Sequence, residues 1–320
     1  MTKPEILVLG TTMPARLDAL ADAFTLHRLD AAPDPEALLD AVGPRIRGVA
    51  TTGGKGLSRA LLARLRKLEI VASAGVGYDS IDVQACSERG VVVTNTLDVL
   101  TDDVADLAIG LVIAARRNMI GGHAHVATGA WGREGSLPLN TSLRGRRLGI
   151  LGLGRIGRVV AARAEPFGLE IGYTALSKSD GLSYTFRTTP RELAEWADIL
   201  VVTVPGGAET AGLVDAEVLR ALGPQGTLVN VARGSVVDEA ALIDALAQGR
   251  IAGAALDVFD NEPNQDPALT RLPNVVLHPH HASGTVESRD AMAALVNDNL
   301  RAHFDGRPVP TPVNAPRSPG

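Results

Sequence analysis

At 320 residues the chain exceeds the size at which one hydrophobic core stops growing, so two domains are expected. With 45% hydrophobic and 21% charged residues it has the make-up of an ordinary soluble globular protein. A net charge of −5 gives no electrostatic reason to bind nucleic acid or an anionic membrane.

The first residues, Met1 to Glu5, run directly into a strand pattern at Ile6–Gly10, so no secretory signal is expected. No apolar run approaches the length of a bilayer span. A single cysteine, Cys86, excludes an internal disulfide framework, and the chain reads as a cytoplasmic protein of a reducing compartment. Short apolar runs then alternate with helical patterns, the signature of parallel sheets with helical crossovers. Strands are expected at Ile6–Gly10, Gly48–Thr52, Glu69–Gly75 and Val91–Asn95, with helices over Arg16–Phe24, Pro35–Val42, Ser58–Lys67 and Ile81–Arg89. Cys86 falls in the last of these and reads as a packing residue.

A long helix follows over Asp98–Asn118, opened by Asp102, Asp103 and Asp106 and closed by Arg116 and Arg117, an order that complements the helix dipole. Gly121 to Ser142 carries Trp131 and few signals of regular structure; an insertion of this length is usually functional or an interface arm. A second set of strands begins at Arg146–Leu151 and continues at Leu169–Ala175, Asp198–Pro205, Thr227–Ala232, Gly253–Phe259 and Asn274–His280. Trp196, on a helix beside a strand, reads as core. The last helix, Val286–Phe304, is expected to pack back on the first unit, which makes that domain discontinuous. The tail from Arg307 to Gly320 holds five prolines and is expected to be extended or poorly ordered.

The strand Arg146–Leu151 is followed by Gly152-Leu153-Gly154-Arg155-Ile156-Gly157 and a helix over Arg155–Phe167. A strand, a tight glycine turn and a helix N-terminus bring backbone N–H groups and a helix dipole to a pyrophosphate. Gly152 permits the turn, Gly154 lets backbone approach phosphate, and Gly157 allows close packing of helix on strand.

Arg233 ends the run Leu228–Ala232, where a parallel strand delivers a residue to the ligand crevice. An arginine there can bind a carboxylate through two parallel hydrogen bonds; spacing alone leaves an ordinary surface role equally open. His280 ends Val275-Val276-Leu277-His278-Pro279-His280 and can serve as general acid and base. By strand alternation His278 and His280 share a face and His281 points away. Glu262 lies just beyond another strand, and a carboxylate beside an imidazole fixes its tautomer and favours its protonated form. Asp260 is an available alternative. No metal site is expected, because His123 and His125 have no third ligand nearby, and no Gly-x-Ser-x-Gly elbow of a serine hydrolase is present.

Thr101–Ala108, Ser142–Gly145 with Leu151–Gly157, Asn230–Gly234, Leu256–Phe259 with Glu262-Pro263, and Pro279-His280 with Ser283-Gly284-Thr285 resemble ordered motifs of the D-isomer-specific 2-hydroxyacid dehydrogenase family. The resemblance covers nearly the whole chain. It implies an α/β fold of two doubly wound parallel-sheet domains: a Rossmann cofactor domain, residues 99–284 with an arm at 119–143, inserted into a flavodoxin-like substrate domain, residues 1–98 and 285–320. It implies Arg233, Glu262 and His280 as the catalytic set. Val76 and Gly77 would offer N–H groups to the substrate carboxylate, helped by the two glycines of Ala74-Gly75-Val76-Gly77. A homodimer joined through the cofactor domain is implied too, with Trp131 reaching a neighbouring active site or anchoring the interface.

By the same resemblance Val204, Pro205, Thr210, Val231, Ala232, Asp257, Ser283 and Gly284 join the glycine turn in holding cofactor. The strand Leu169–Ala175 ends without the acid that favours NAD, and Ser177 with Lys178 follow as partners for a 2′-phosphate, which favours NADP over NAD. Where NADPH-using members often carry an arginine, this chain has Leu176. The expected reaction is NAD(P)H-dependent reduction of a small 2-oxoacid of the glyoxylate/hydroxypyruvate type to the D-2-hydroxyacid. The alternatives are an aromatic 2-oxoacid such as hydroxyphenylpyruvate, or a dinucleotide-sensing regulatory protein on the same fold.

Overall fold

The computed structural model describes residues 3–11 and 16–314. Its contacts divide them into two units, one running to Leu100 and resuming at Ser283, the other spanning Thr101–Ala282. The first unit contains β1 (Glu5–Val8), α1 (Leu17–Ala21), β2 (Thr25–Arg28), α2 (Pro35–Val42), β3 (Gly48–Thr52), α3 (Arg59–Arg64), β4 (Ile70–Ala74), α4 (Val83–Glu88) and β5 (Val92–Thr94). The strands are all parallel in the order β2-β1-β3-β4-β5, the flavodoxin-like arrangement. Asp34, Ser58 and Asp82 accept from backbone N–H groups at the starts of α2, α3 and α4, which fixes where those helices begin.

Strand alternation sends Leu7, Val49, Val71 and Val93 into a core with Leu62, Leu65 and Cys86. Cys86 is fully buried, and burial pushes its thiol up to about 11. At pH 8 about one thiol in a thousand is then ionised, and only the thiolate is the nucleophile. Iodoacetamide is expected to spare the native protein and to modify Cys86 only after unfolding. Mass spectrometry of the labelled protein checks this, and labelling under native conditions contradicts it.

The second unit contains α5 (Thr101–Arg116), α6 (Met119–Ala127), α7 (Ala130–Glu134), β6 (Arg147–Leu151), α8 (Arg155–Ala164), β7 (Glu170–Thr174), β8 (Thr185–Phe186), α9 (Pro190–Trp196), β9 (Ile199–Val202), α10 (Ala216–Leu222), β10 (Thr227–Asn230), α11 (Glu239–Ala247), β11 (Gly253–Leu256), α12 (Pro267–Arg271) and β12 (Val275–Leu277). Its parallel sheet has the order β12-β11-β10-β9-β6-β7-β8, a Rossmann arrangement whose strand order reverses between β6 and β9. Leu151, Leu200, Leu228 and Leu256 form one core face with α9, α10 and α11. α8 buries Gly157, Val160, Ala161 and Ala164, small residues that permit close helix packing. Arg163 of α8 pairs with Asp102 at 2.8 Å and Asp106 at 2.5 Å, which ties α8 to the acidic start of α5. Trp196 is partly buried against the core, with Arg147 stacked over its ring.

One expectation needs correction. Residues 121–142 are not irregular at their start: α6 and α7 occupy Met119–Glu134 apart from a short turn. Asn118 takes the left-handed conformation before α6, and a Cβ on Gly121 would strike the Asn118 side chain, so two adjacent glycines mask a helix. Of the two readings of the tail, extended or poorly ordered, the described part takes the extended one. Thr94 bridges Pro312 antiparallel, Val313 donates to the Val93 carbonyl at 2.7 Å, and Val93 donates to Asn314 Oδ1 at 2.7 Å. Proline suits a sheet edge, where its missing donor is not needed. Residues 315–320 of that tail, like Met1 and Thr2, lie outside the described residues. The last helix, α13 (Val286–Phe304), belongs to the first unit. Its Leu300 sits beside Ile6 and Ile70 next to Gly48, on the sheet face opposite Leu7 and Val71.

Candidate active site

The glycine turn lies at the point where the strand order of the second sheet reverses. Gly152 has φ +100°, and a Cβ there would press on Val204 of the loop after β9. Thr203 Oγ1 donates to the Gly152 carbonyl at 2.7 Å, so the turns after β6 and β9 are stitched together. A Cβ on Gly157 would come within 2.3 Å of the Gly152 carbonyl oxygen, which is the close helix–strand approach. Gly154 faces open space, with nothing within 4 Å of an added Cβ. It heads α8 with no side-chain cap, leaving the first turn's N–H groups to a ligand. A pyrophosphate fits this cradle.

Ser177 and Lys178 lie exposed on the loop after β7, beside a fully exposed Leu176. That loop is held from two sides. Ser179 N–H donates to the hydroxyl of buried Tyr173 at 2.9 Å, and Arg158 Nη2 donates to Ser179 Oγ at 3.0 Å. Sequence reading overlooked Arg158, although it directly follows the third glycine. Beyond β9, Thr210 Oγ1 donates to the Pro205 carbonyl at 2.7 Å, closing the loop that starts at Val204. In the first unit, the loop Gly75–Gly77 is pinned by Asn95 Nδ2 on the Val76 carbonyl at 2.9 Å and by Thr96 N–H on the Gly75 carbonyl at 2.9 Å. Ser283 and Gly284 also fall in the first unit, before the Thr285 cap of α13.

After β10 the chain turns through Val231 and Ala232 to Arg233. Asn230 shapes this turn: its Oδ1 accepts from Ala232 N–H at 3.0 Å, and its Nδ2 donates to the Arg233 carbonyl at 2.8 Å. Arg233 is half-buried, and its Nη1 donates to the Ala232 carbonyl at 2.7 Å. A Cβ on Gly234 would meet the Phe259 carbonyl carbon and oxygen at 1.9 Å, so the Arg233 segment lies flat against the segment that carries Glu262. Glu262 Oε1 accepts from Phe259 N–H at 3.0 Å, and its Oε2 accepts from His280 Nδ1 at 2.6 Å. Burial pushes the Glu262 carboxyl up. The His280 imidazole, the Phe259 amide and the nearby charge of Arg233 outweigh that and hold it below its ordinary range. With Nδ1 taken by Glu262, Nε2 is the His280 nitrogen left to exchange a proton. Asp260, the other candidate acid, is not the imidazole's partner; its N–H donates to Glu239 Oε2 at 3.1 Å.

The strand-face argument for the histidines fails. β12 ends at Leu277, and His278 makes the next ladder bond, to the Leu256 carbonyl at 2.8 Å. Pro279 has no N–H with which to continue, and His280 adopts φ +48°. Its N–H donates to the Asp257 carbonyl at 2.6 Å. His278 Nδ1 instead donates to Asp257 Oδ1 at 2.5 Å, so the two imidazoles serve different carboxylates. Fully buried Asp257 also accepts from the N–H groups of His281 and Ala282 at 2.8 and 3.0 Å. It therefore organises the loop on both sides of His280. Trp131 stands 61% exposed on α7. Among the described residues no group of three or more candidate ligands could hold a metal ion, and no helix is long and apolar enough to cross a membrane.

A dinucleotide cradle and a carboxylate-held imidazole on the ends of one parallel sheet define the class: a nicotinamide-dependent oxidoreductase. The family model for the D-isomer specific 2-hydroxyacid dehydrogenase, NAD binding domain, matches residues 109–282. The chain is 48% identical to hydroxyphenylpyruvate reductase of Plectranthus scutellarioides, over 91% of this chain and 92% of that one. It is 42% identical to 2-ketogluconate reductase of Gluconobacter oxydans, over 98% and 99%. Among solved structures, the NADPH-dependent glyoxylate/hydroxypyruvate reductase of Sinorhizobium meliloti, in complex with NADP and malonate, is similar with a TM-score of 0.91, 48% identity and coverage of 98% and 97%. The chain belongs to the D-isomer specific 2-hydroxyacid dehydrogenase family, and it uses NAD or NADP.

Proposed function

We propose that this enzyme reduces a small 2-oxoacid of the glyoxylate/hydroxypyruvate type to the D-2-hydroxyacid, with NADPH preferred. The observation that carries the reading is the 2.6 Å His280–Glu262 pair beside Arg233. When bound, the reduced nicotinamide supplies hydride to the carbonyl carbon. Arg233 holds the substrate carboxylate and polarises the carbonyl oxygen, and the N–H groups of Val76 and Gly77 assist with the carboxylate. His280 donates its Nε2 proton to that oxygen as charge develops. Glu262 keeps the imidazole oriented, with Nδ1 on its carboxylate and Nε2 toward the substrate oxygen. In oxidation, neutral His280 takes the proton back.

The glycine turn Gly152–Gly157 holds pyrophosphate, and Ser177 and Lys178 face the 2′-phosphate. Val204, Pro205, Thr210, Val231, Ala232, Asp257, Ser283 and Gly284 complete the cofactor contacts. The protein is a homodimer joined through the cofactor unit. Support comes from the apolar surface exposed near α6 and α7: Ile120 is 60%, Trp131 61% and Leu139 99% exposed. A lone buried thiol fits a cytoplasmic setting.

The test is loss of reduced-nicotinamide absorbance with NADPH and NADH in parallel, over glyoxylate, hydroxypyruvate, hydroxyphenylpyruvate and 2-ketogluconate. Turnover of glyoxylate or hydroxypyruvate is expected. Hydroxyphenylpyruvate turned over best would move the assignment to aromatic 2-oxoacids. Cofactor binding without any turnover would favour a dinucleotide sensor. Arg233→Ala is expected to lose turnover by at least about 10²-fold while binding NADPH with unchanged affinity, as measured by nicotinamide fluorescence.

A further inference from the structure

β7 ends at Thr174 without an acid, and the loop beyond it reads Ala175-Leu176-Ser177-Lys178-Ser179. In an open α/β sheet, the end of the second Rossmann strand is where the ribose next to the adenine is read. Ser177 and Lys178 are exposed there, as is Arg158, but among the described residues no hydrogen bond fixes the side chain of either Ser177 or Lys178. Arg158 is different. It sits in the early part of α8 and reaches the same loop through Nη2, 3.0 Å from Ser179 Oγ. The loop is tethered here, because Ser179 N–H donates to Tyr173 Oη at 2.9 Å and Tyr173 is fully buried.

The electrostatics of this corner are also specific. Arg158 forms no ion pair among the described residues; its partner is a neutral hydroxyl. The nearby acid, Glu165, is engaged by the Tyr184 hydroxyl, whose ionisation burial and the Glu165 charge both oppose. A guanidinium is thus held at the strand end by a neutral hydroxyl, with the Tyr184–Glu165 pair in the same corner. A serine hydroxyl lies within its reach, able to accept from the arginine while donating to an anion. That combination suits a phosphate dianion, which a guanidinium binds through a planar two-point fork.

We propose that Arg158 and Ser179 bind the 2′-phosphate of NADPH, with Arg158 supplying the cation that Leu176 does not. This rests on the reading of the enzyme as NADPH-preferring. Arg158 acts on cofactor choice and has no part in the proton transfer.

The test uses Arg158→Gln, Arg158→Lys and Ser179→Ala in the full-length enzyme. Dissociation constants for NADPH and NADH are measured by nicotinamide fluorescence, and those for 2′,5′-ADP and 5′-AMP by calorimetry. Arg158→Gln is expected to weaken NADPH and 2′,5′-ADP by about 10- to 100-fold, while NADH and 5′-AMP change less than about twofold. Arg158→Lys falls between, and Ser179→Ala weakens the phosphorylated ligands by a few fold. Unchanged NADH binding certifies that the variants are folded. If wild type prefers NADPH and Arg158→Gln keeps that ratio, the proposal is overturned while the NADPH reading stands. Equal weakening of both cofactors also overturns it, since Arg158 would then serve the fold or the pyrophosphate. A wild type that binds NADH as tightly as NADPH removes the NADPH reading and the proposal with it.

Discussion

His280→Ala is expected to lower kcat for 2-oxoacid reduction by about 10²- to 10⁴-fold, the usual contribution of a positioned general acid, with NADPH affinity unchanged. The imidazole is the group whose Nδ1 is locked 2.6 Å from Glu262, and its left-handed backbone is fixed by the Asp257 carbonyl. A side chain without a proton leaves the developing alkoxide to water. Glu262→Gln separates orientation from charge. The amide oxygen can still accept from Nδ1 and hold the ring, but the negative charge is gone, so any loss of kcat in Glu262→Gln reports the charge and not the orientation. Because the Glu262 carboxyl is held below its ordinary 4.5, its ionised form stabilises the fold above that pH. This stabilisation disappears as pH falls through the lowered value. The gap in melting temperature between wild type and Glu262→Gln should therefore be constant at neutral pH and shrink progressively as pH falls below 4.5. An unchanged kcat in Glu262→Gln would remove the carboxylate's charge from the proton-transfer scheme.

Gly234→Ala is expected to destabilise the second unit by about 3 kcal/mol or more, beyond the usual range for surface changes. The added methyl would lie 1.9 Å from the Phe259 carbonyl and 2.4 Å from Asp260 N, and backbone cannot move aside as a side-chain tip can. For a unit of this length the shift in melting temperature is about 6–12 °C. The damage is also chemical, since the clash separates the strand end bearing Arg233 from the loop bearing Glu262. kcat is expected to fall even well below the melting temperature. Gly110→Ala provides the opposite sign: in the exposed part of α5 an added Cβ meets nothing within 4 Å, and replacing a mid-helix glycine adds about 0.5–1 kcal/mol. Calorimetry of both variants checks the pair, and equal small effects would show that the backbone contact is soft.

Much of the fold was legible because buried parallel strands are nearly continuous apolar runs and their helices start at side-chain caps such as Asp34 and Ser58. The strands that escaped were β2, a partly exposed edge, and β8, two residues long; neither has enough buried positions to print a pattern. α6 escaped because Gly121 and Gly122 lower its helix propensity. At the site, residue types were readable and geometry was not. Alternation could not assign the histidines, because a proline ends the ladder between them. Nothing in the spacing could choose Glu262 over Asp260, which depends on how one loop folds over Gly234. Arg158 was hidden by its place on a helix, twenty-one residues from the serine it meets.

The way α13 and the tail complete the first unit also dictates an order of events during synthesis. Roughly two hundred residues separate β5 from the helix that covers the sheet face of Ile6 and Ile70. At cellular elongation rates that helix emerges about 10–40 s after the strands it must cover. Throughout that interval the growing chain carries a five-stranded sheet whose face at Ile6 and Ile70 still lacks α13, while the second unit is itself being made and has all of its residues only as α13 begins. The nascent first unit thus stays incomplete longest, and it closes only when the last helix arrives.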